Sequence, residues 1–208
     1  VDEHYKTFTE EFGPGFARRE VPDSTLIRYA SRLPNQLLKY WEKYGWCGYA
    51  DGVFWTVNPQ EYDEIINAWV TAIPVLANDR LHVIARSAFG DLYIWGEEKG
   101  HCLTVSSLTS RYSLRTSKLT GEHSNIGVQS FFSFMQKDHN DFCESFGSLL
   151  AKLGRLEADE MYGLIPALAL GGSVDLKNFE KIKTIEHLTF LSQLSPLRDW
   201  GFPDLDSL

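Results

Sequence analysis

The chain's 208 residues, 43% hydrophobic and 23% charged, suffice for one large domain or two small ones with a real core, and they exclude a disordered, collagen-like or coiled-coil chain. Twenty basic against 28 acidic side chains leave a net charge of −8, and no Lys/Arg-rich run occurs, which argues against direct nucleic-acid binding. Cys47, Cys102 and Cys143 are odd in number and far apart, so no disulfide framework or zinc ribbon is expected, and a reducing cytosol is.

At the N-terminus neither a basic nor an apolar signal-peptide region is visible. Asp2 to Phe12 reads as a short helix stopped by Gly13-Pro14-Gly15, and Pro22-Asp23-Ser24 opens another. Pro34 suits a first helical position. From it a helix carries Leu37, Tyr40, Trp41 and Tyr44 at helical spacing and ends at Gly45. Gly48 to Gly52 is a turn and Val53–Val57 a strand. Asn58, Pro59 and Glu61 form a capping-box pattern. The helix it predicts buries Tyr62, Ile65, Ile66, Trp69 and Ile73. Leu81–Arg86 and Leu92–Trp95 alternate around Phe89-Gly90-Asp91 as a hairpin, with His101–Ser106 a third strand. The polar stretch from Ser106 to Asn125 either links two halves or extends that sheet through Tyr112 and Leu114.

The second half reads as more helical. Asp138 is placed as the cap of a helix carrying Phe142, Phe146, Leu149 and Leu153, closed by Gly154. The apolar run near Leu164–Leu170 is too short to span a bilayer. Lys177–Lys183 reads as a short strand, and Thr184 opens a last helix with Leu188, Leu191 and Leu194, stopped by Pro196. The predicted fold is α+β. A small antiparallel sheet covered by helices occupies residues 1–120, and a mainly helical part, packed against it, occupies 121–208.

No constellation for catalysis assembles along the chain. Neither phosphate-cradling glycine motif occurs, nor does G-x-S-x-G. His139 and Cys143 have metal-compatible spacing but lack a second pair. Cys47 with a histidine is the one nucleophile option, and burial is the commoner fate of such a thiol. No catalytic residue, metal or cofactor is expected. The notable distribution is electrostatic: Asp51, Glu61, Asp63, Glu64 and Asp79 carry −5 over a stretch without Lys or Arg. With Tyr49 and Trp55 beside them, Asp51, Glu61, Asp63 and Glu64 form a candidate acidic, aromatic-edged surface for a basic partner. A solvated helix face over an aromatic core explains the same acids without a partner.

The run Leu33-Pro34-Asn35-Gln36-Leu37-Leu38-Lys39-Tyr40-Trp41-Glu42-Lys43-Tyr44-Gly45-Trp46-Cys47-Gly48-Tyr49-Ala50-Asp51-Gly52 resembles the GAD-like domain. Val53–Pro59, Glu61-Tyr62 and Phe12-Gly13 continue the match. The second half, with Pro166–Gly172 and Glu186-His187-Leu188 before a leucine-rich helix, resembles the domain that accompanies it in Tdi-type immunity proteins of bacterial type VI secretion. The resemblance covers nearly the whole chain. It implies a cytoplasmic bacterial inhibitor, not an enzyme, whose partner is a cognate Tde-type DNase toxin; no membrane and no direct nucleic-acid contact are implied. The other readings are a small-molecule or peptide-binding regulatory module, with Pro166–Gly172 lining a pocket, and an enzyme using Cys47.

Overall fold

The computed structural model describes residues 2–71, 73–76, 78–115 and 119–201. Its frame is an antiparallel meander of β1 (Phe16–Arg19), β2 (Trp46–Tyr49), β3 (Phe54–Thr56), β4 (Leu81–Ser87), β5 (Leu92–Gly96), β6 (Gly100–Ser106) and β7 (Arg111–Leu114). A separate hairpin pairs β8 (Glu160–Leu164) with β9 (Phe179–Lys183). The last strand, β10 (Arg198–Asp199), adds to β7 in parallel and makes the sheet eight-stranded. This is the α+β class expected.

Glycines set the approach of the first strands. After α1 (Glu3–Phe12) and the short α2 (Asp23–Tyr29), α3 (Asn35–Tyr44) ends at Gly45. There φ is +72°, and a Cβ would collide with the Arg19 carbonyl. A glycine therefore lets the chain reverse directly into β2 against β1. At Gly48 a Cβ would come within 2.7 Å of the Phe16 ring and 2.8 Å of Trp55, so only hydrogen leaves room for those two rings, which meet edge to face at 5.3 Å.

The sheet is buried on both faces. On one, α1, α3 and α5 (Ser124–Ser133) pack an aromatic core of Tyr5, Phe8, Phe12, Tyr40, Trp41 and Phe132 against Phe54, Ile84 and Trp95 of the strands. On the other, α4 (Asp63–Val70), α6 (Phe146–Leu153), α7 (Thr184–Leu194) and the β8–β9 hairpin cover Val83, Ile94, Leu103 and Val105. Residues from both halves of the chain thus share one core, with Ile65, Trp69, Leu149, Met161 and Leu188 in a single cluster. Trp41 and Trp69 are both buried, as their helical stripes require.

Several local expectations are corrected. Trp46–Tyr49 is a strand, where the sequence reading left the end of a helix and a turn. Asn58 does cap, accepting from the Gln60 N–H at 3.3 Å. Glu61, however, pairs with Arg19 instead of closing a capping box. Pro59–Tyr62 is a tight 3₁₀ turn, and α4 begins only at Asp63. Asp138 does not cap a long helix. Residues 138–144 form two 3₁₀ turns, and from between them the Asp141 carboxylate accepts from the Phe146 N–H at the start of α6, at 2.8 Å. Consequently His139 and Cys143 do not share a helix. The polar stretch after β6 does extend the sheet, as β7; its residues 116–118 lie outside the described residues. The part after 120 adds to its helices the β8–β9 hairpin and β10.

Candidate partner-binding surface

The six residues proposed from sequence do not form one surface. Tyr49 and Trp55 are 1% and 2% exposed, and they belong to the cores on opposite faces of the sheet. The reason is strand alternation: Tyr49 pairs with Phe54 and Gly48 with Trp55, so the two aromatic side chains point opposite ways. Tyr49 hydroxyl lies 2.7 Å from that of Tyr5. Trp55 donates its indole N–H to the Gly52 carbonyl at 2.8 Å. Neither aromatic is available as a surface anchor, so the aromatic edge expected for the acidic patch is absent from the protein's exterior.

The acids do lie outside, but they are largely engaged. Asp51 occupies the left-handed region at φ +57° in the turn after β2 and pairs with Arg155, itself stacked 4.7 Å above Phe16. Glu61 receives Arg19 through two hydrogen bonds, 2.8 Å and 3.3 Å, with the Arg19 guanidinium 5.5 Å from the Trp46 ring. Asp79 accepts from the Glu98 and Lys99 backbone N–H groups and organises the β5–β6 turn. Asp63 and Glu64 open α4 from its exposed side. Partial burial raises the Asp63 carboxyl above the ordinary range, while His82, Arg28 and Arg32 act in the opposite direction. Among the described residues no cation lies within ion-pair distance of Asp63 or Glu64. A run without basic residues in sequence is therefore partly neutralised in space by Arg19 and Arg155, which arrive from distant segments.

The structure also shows exposed apolar side chains that the charge-based reading passed over. Ile165, Leu170, Val174 and Leu176 stand out from the loop joining β8 to β9, and Phe134 projects after α5. The Pro166–Gly172 segment is thus largely at the surface, although Ala167 within it is buried. Its apolar run in the sequence was the available signal.

Cys47, the candidate nucleophile, is buried on β2. Its thiol donates to the Tyr44 carbonyl at 3.1 Å, and burial pushes its pKa up, which keeps it in the unreactive thiol form. Among the described residues no group of three His, Cys, Asp or Glu side chains is placed to hold a metal ion. Among them also, no helix is long and apolar enough to cross a membrane.

An α+β meander covered on both faces, with its acids at the surface, defines a GAD-like protein: residues 3–109 match the GAD-like domain family, and the chain belongs to it. Residues 125–195 match the family described as type VI secretion immunity protein Tdi1, C-terminal. The chain thus carries a GAD-like domain followed by a Tdi1-type immunity C-terminal domain, and the second supports an immunity function. The crystal structure of Atu4351 from Agrobacterium tumefaciens is similar over 96% of this chain and 94% of that one, with a TM-score of 0.83 at 22% identity, and shares the fold. No curated protein matches.

Proposed function

We propose that this protein neutralises a cognate type VI DNase effector in the cytoplasm of the cell that makes it, by binding and without turnover. The observation that carries the reading is the match of residues 125–195 to an immunity-protein C-terminal domain, since an immunity protein requires an effector to act on. The net charge of −8 supports a nuclease as that effector. A surface that holds a phosphate backbone is cationic, and an acidic protein is attracted to it. Asp63 and Glu64 supply charge with no cation of the described residues within ion-pair distance. The buried state of Cys47 supports the non-catalytic part of the reading.

The test is co-expression with a candidate nuclease toxin sought among the genes next to this one, followed by purification and an assay of chromosomal DNA. The expected result is a one-to-one complex and intact DNA. Absence of both complex and protection would overturn the reading. The double variant Asp63→Lys with Glu64→Lys is expected to slow association several-fold at low salt, with little change in release, because exposed charges steer encounter and are screened by salt. Unchanged association would place the electrostatic contact elsewhere.

A further inference from the structure

A cleft of about 520 Å³ opens between α1, the turn after it, β1, the end of α3 and β2. That is within the range of roughly 300–1,000 Å³ typical of small-molecule sites. Its floor is aromatic and closed on itself. Tyr5 and Tyr44 rings stack at 4.2 Å with 4° between their planes. The Tyr5 and Tyr49 hydroxyls satisfy one another, and the Cys47 thiol is spent on the Tyr44 carbonyl. Tyr5 and Tyr49 are buried beneath the cleft, so the half-buried Tyr44 ring is the apolar surface that a ligand meets. The rim has the opposite character. Its two charged side chains are both cations, Arg18 and Lys43, in a protein whose net charge is −8. Arg18 spends its Nε on the Tyr44 carbonyl at 3.0 Å and its Nη1 on Glu20 at 3.2 Å, which leaves Nη2 uncommitted. The Lys43 ammonium sits 5.1 Å from the centre of the Tyr44 ring, a contact that leaves its N–H donors for a ligand.

We propose that this cleft binds a small organic anion, its apolar body beside the half-buried Tyr44 ring and its carboxylate or phosphate head paired with Arg18 and Lys43. The site is distinct from the acidic surface and independent of the effector. Head-group charge selects the ligand, because two cations without a lining carboxylate favour an anion and oppose a cation. The planar guanidinium of Arg18 matches either oxyanion geometry, so carboxylate and phosphate share the recognition chemistry.

The experiment is a titration of the full chain, followed by amide signals in NMR, with four probes of one shape: phenylacetate, phenyl phosphate, neutral phenylacetamide and cationic phenethylamine. At least one anion is expected to shift the Gly15, Cys47 and Tyr49 signals saturably, with phenylacetamide at least tenfold weaker and phenethylamine inert. Whichever anion binds more tightly identifies the head group. Lys43→Gln is expected to weaken the anion severalfold. Thr9→Trp, a half-buried position on α1 that lines the cleft, is expected to abolish binding with no change in melting temperature, so that lost affinity is separated from lost folding. Equal binding of anion and amide, shifts confined to another surface, retention of binding in Thr9→Trp, or no saturable shift at about 10 mM probe, which is weaker than a ~1 mM site near −4 kcal/mol, would each overturn the proposal.

Discussion

Replacing Arg86 by methionine should separate the two halves of the core more effectively than any surface change. Arg86 lies on β4, fully buried, with no carboxylate in ion-pair contact among the described residues. Its Nη1 donates to the Ser87 carbonyl at 3.1 Å. Its Nη2 donates to the Ala158 and Glu160 carbonyls at 3.0 and 2.9 Å, and the guanidinium sits 5.1 Å from the Trp55 ring. Two of the three bonds therefore reach from the central sheet to the entrance of β8, more than seventy positions along the chain. Hydrogen bonds from a charged donor contribute about 1.5–3 kcal/mol each, so three represent a gross loss of roughly 5–9 kcal/mol. Removing the buried cation also relieves a desolvation cost of several kcal/mol, the same cost that lowers the Arg86 pKa. The difference leaves a net destabilisation of about 2–4 kcal/mol, a large share of the ~5–15 kcal/mol available to a folded protein. Methionine retains the apolar stem but not the guanidinium over Trp55, so the loss reports the carbonyl contacts together with that cation–π contact. Urea denaturation measures the total, and amide exchange over residues 158–164 measures the local effect, which should exceed that over β5. A loss below about 1 kcal/mol with unaltered exchange in β8 would refute the reasoning.

Other outcomes follow from burial and titration. Trp69→Ala, which empties the centre of the core under α4, should cost about 3–5 kcal/mol in urea, and a near-neutral result would contradict the packing of that helix. Burial pushes His101 down to about 3, with Arg115 adding to the effect, while an unfolded histidine titrates near ~6.5. The unfolded chain therefore binds more protons across that window, and stability falls as pH drops from 6.5 towards 3. Asp91, pushed up to about 6 by burial from 3.8, acts in the reverse sense between those values. The informative quantity is thus the difference between wild type and His101→Phe, whose loss between pH 7 and 4.5 should be the smaller of the two. Equal losses would show that His101 takes up its proton in the folded state.

Elements with a strong local signature were legible in the sequence. α3 and α7 carry apolar residues at helical spacing and end at a glycine or before a proline, and the β4–β5 hairpin alternates around Gly90. The residues that failed are those whose state depends on distant partners. Trp46–Tyr49 becomes a strand because Phe16–Arg19 and Phe54–Thr56 flank it, and nothing within four residues announces that. α5 escaped notice because Gly127 interrupts a stripe formed only by Val128, Phe131 and Phe132. The aromatic edge of the candidate surface failed for the same reason. Tyr49 and Trp55 are near the acids in sequence, yet the pleat of the sheet sends them into two cores. Arg19 and Arg155 lie far away in sequence and come to sit on Glu61 and Asp51. Charge counted along a chain is not charge counted on a surface.

The packing of α4 under α7 has a consequence for synthesis. Ile65, Ile66 and Trp69 on α4 are translated early, and Leu188 and Leu191, which complete their cluster, lie more than a hundred residues later. At roughly 5–20 residues per second, the interval is on the order of ten seconds. Through that time the nascent chain presents an apolar helix whose cover has not yet been made, a surface prone to aggregation. On the immunity reading proposed above, a chain in that interval is not yet folded to bind, and the reserve that counts is completed protein.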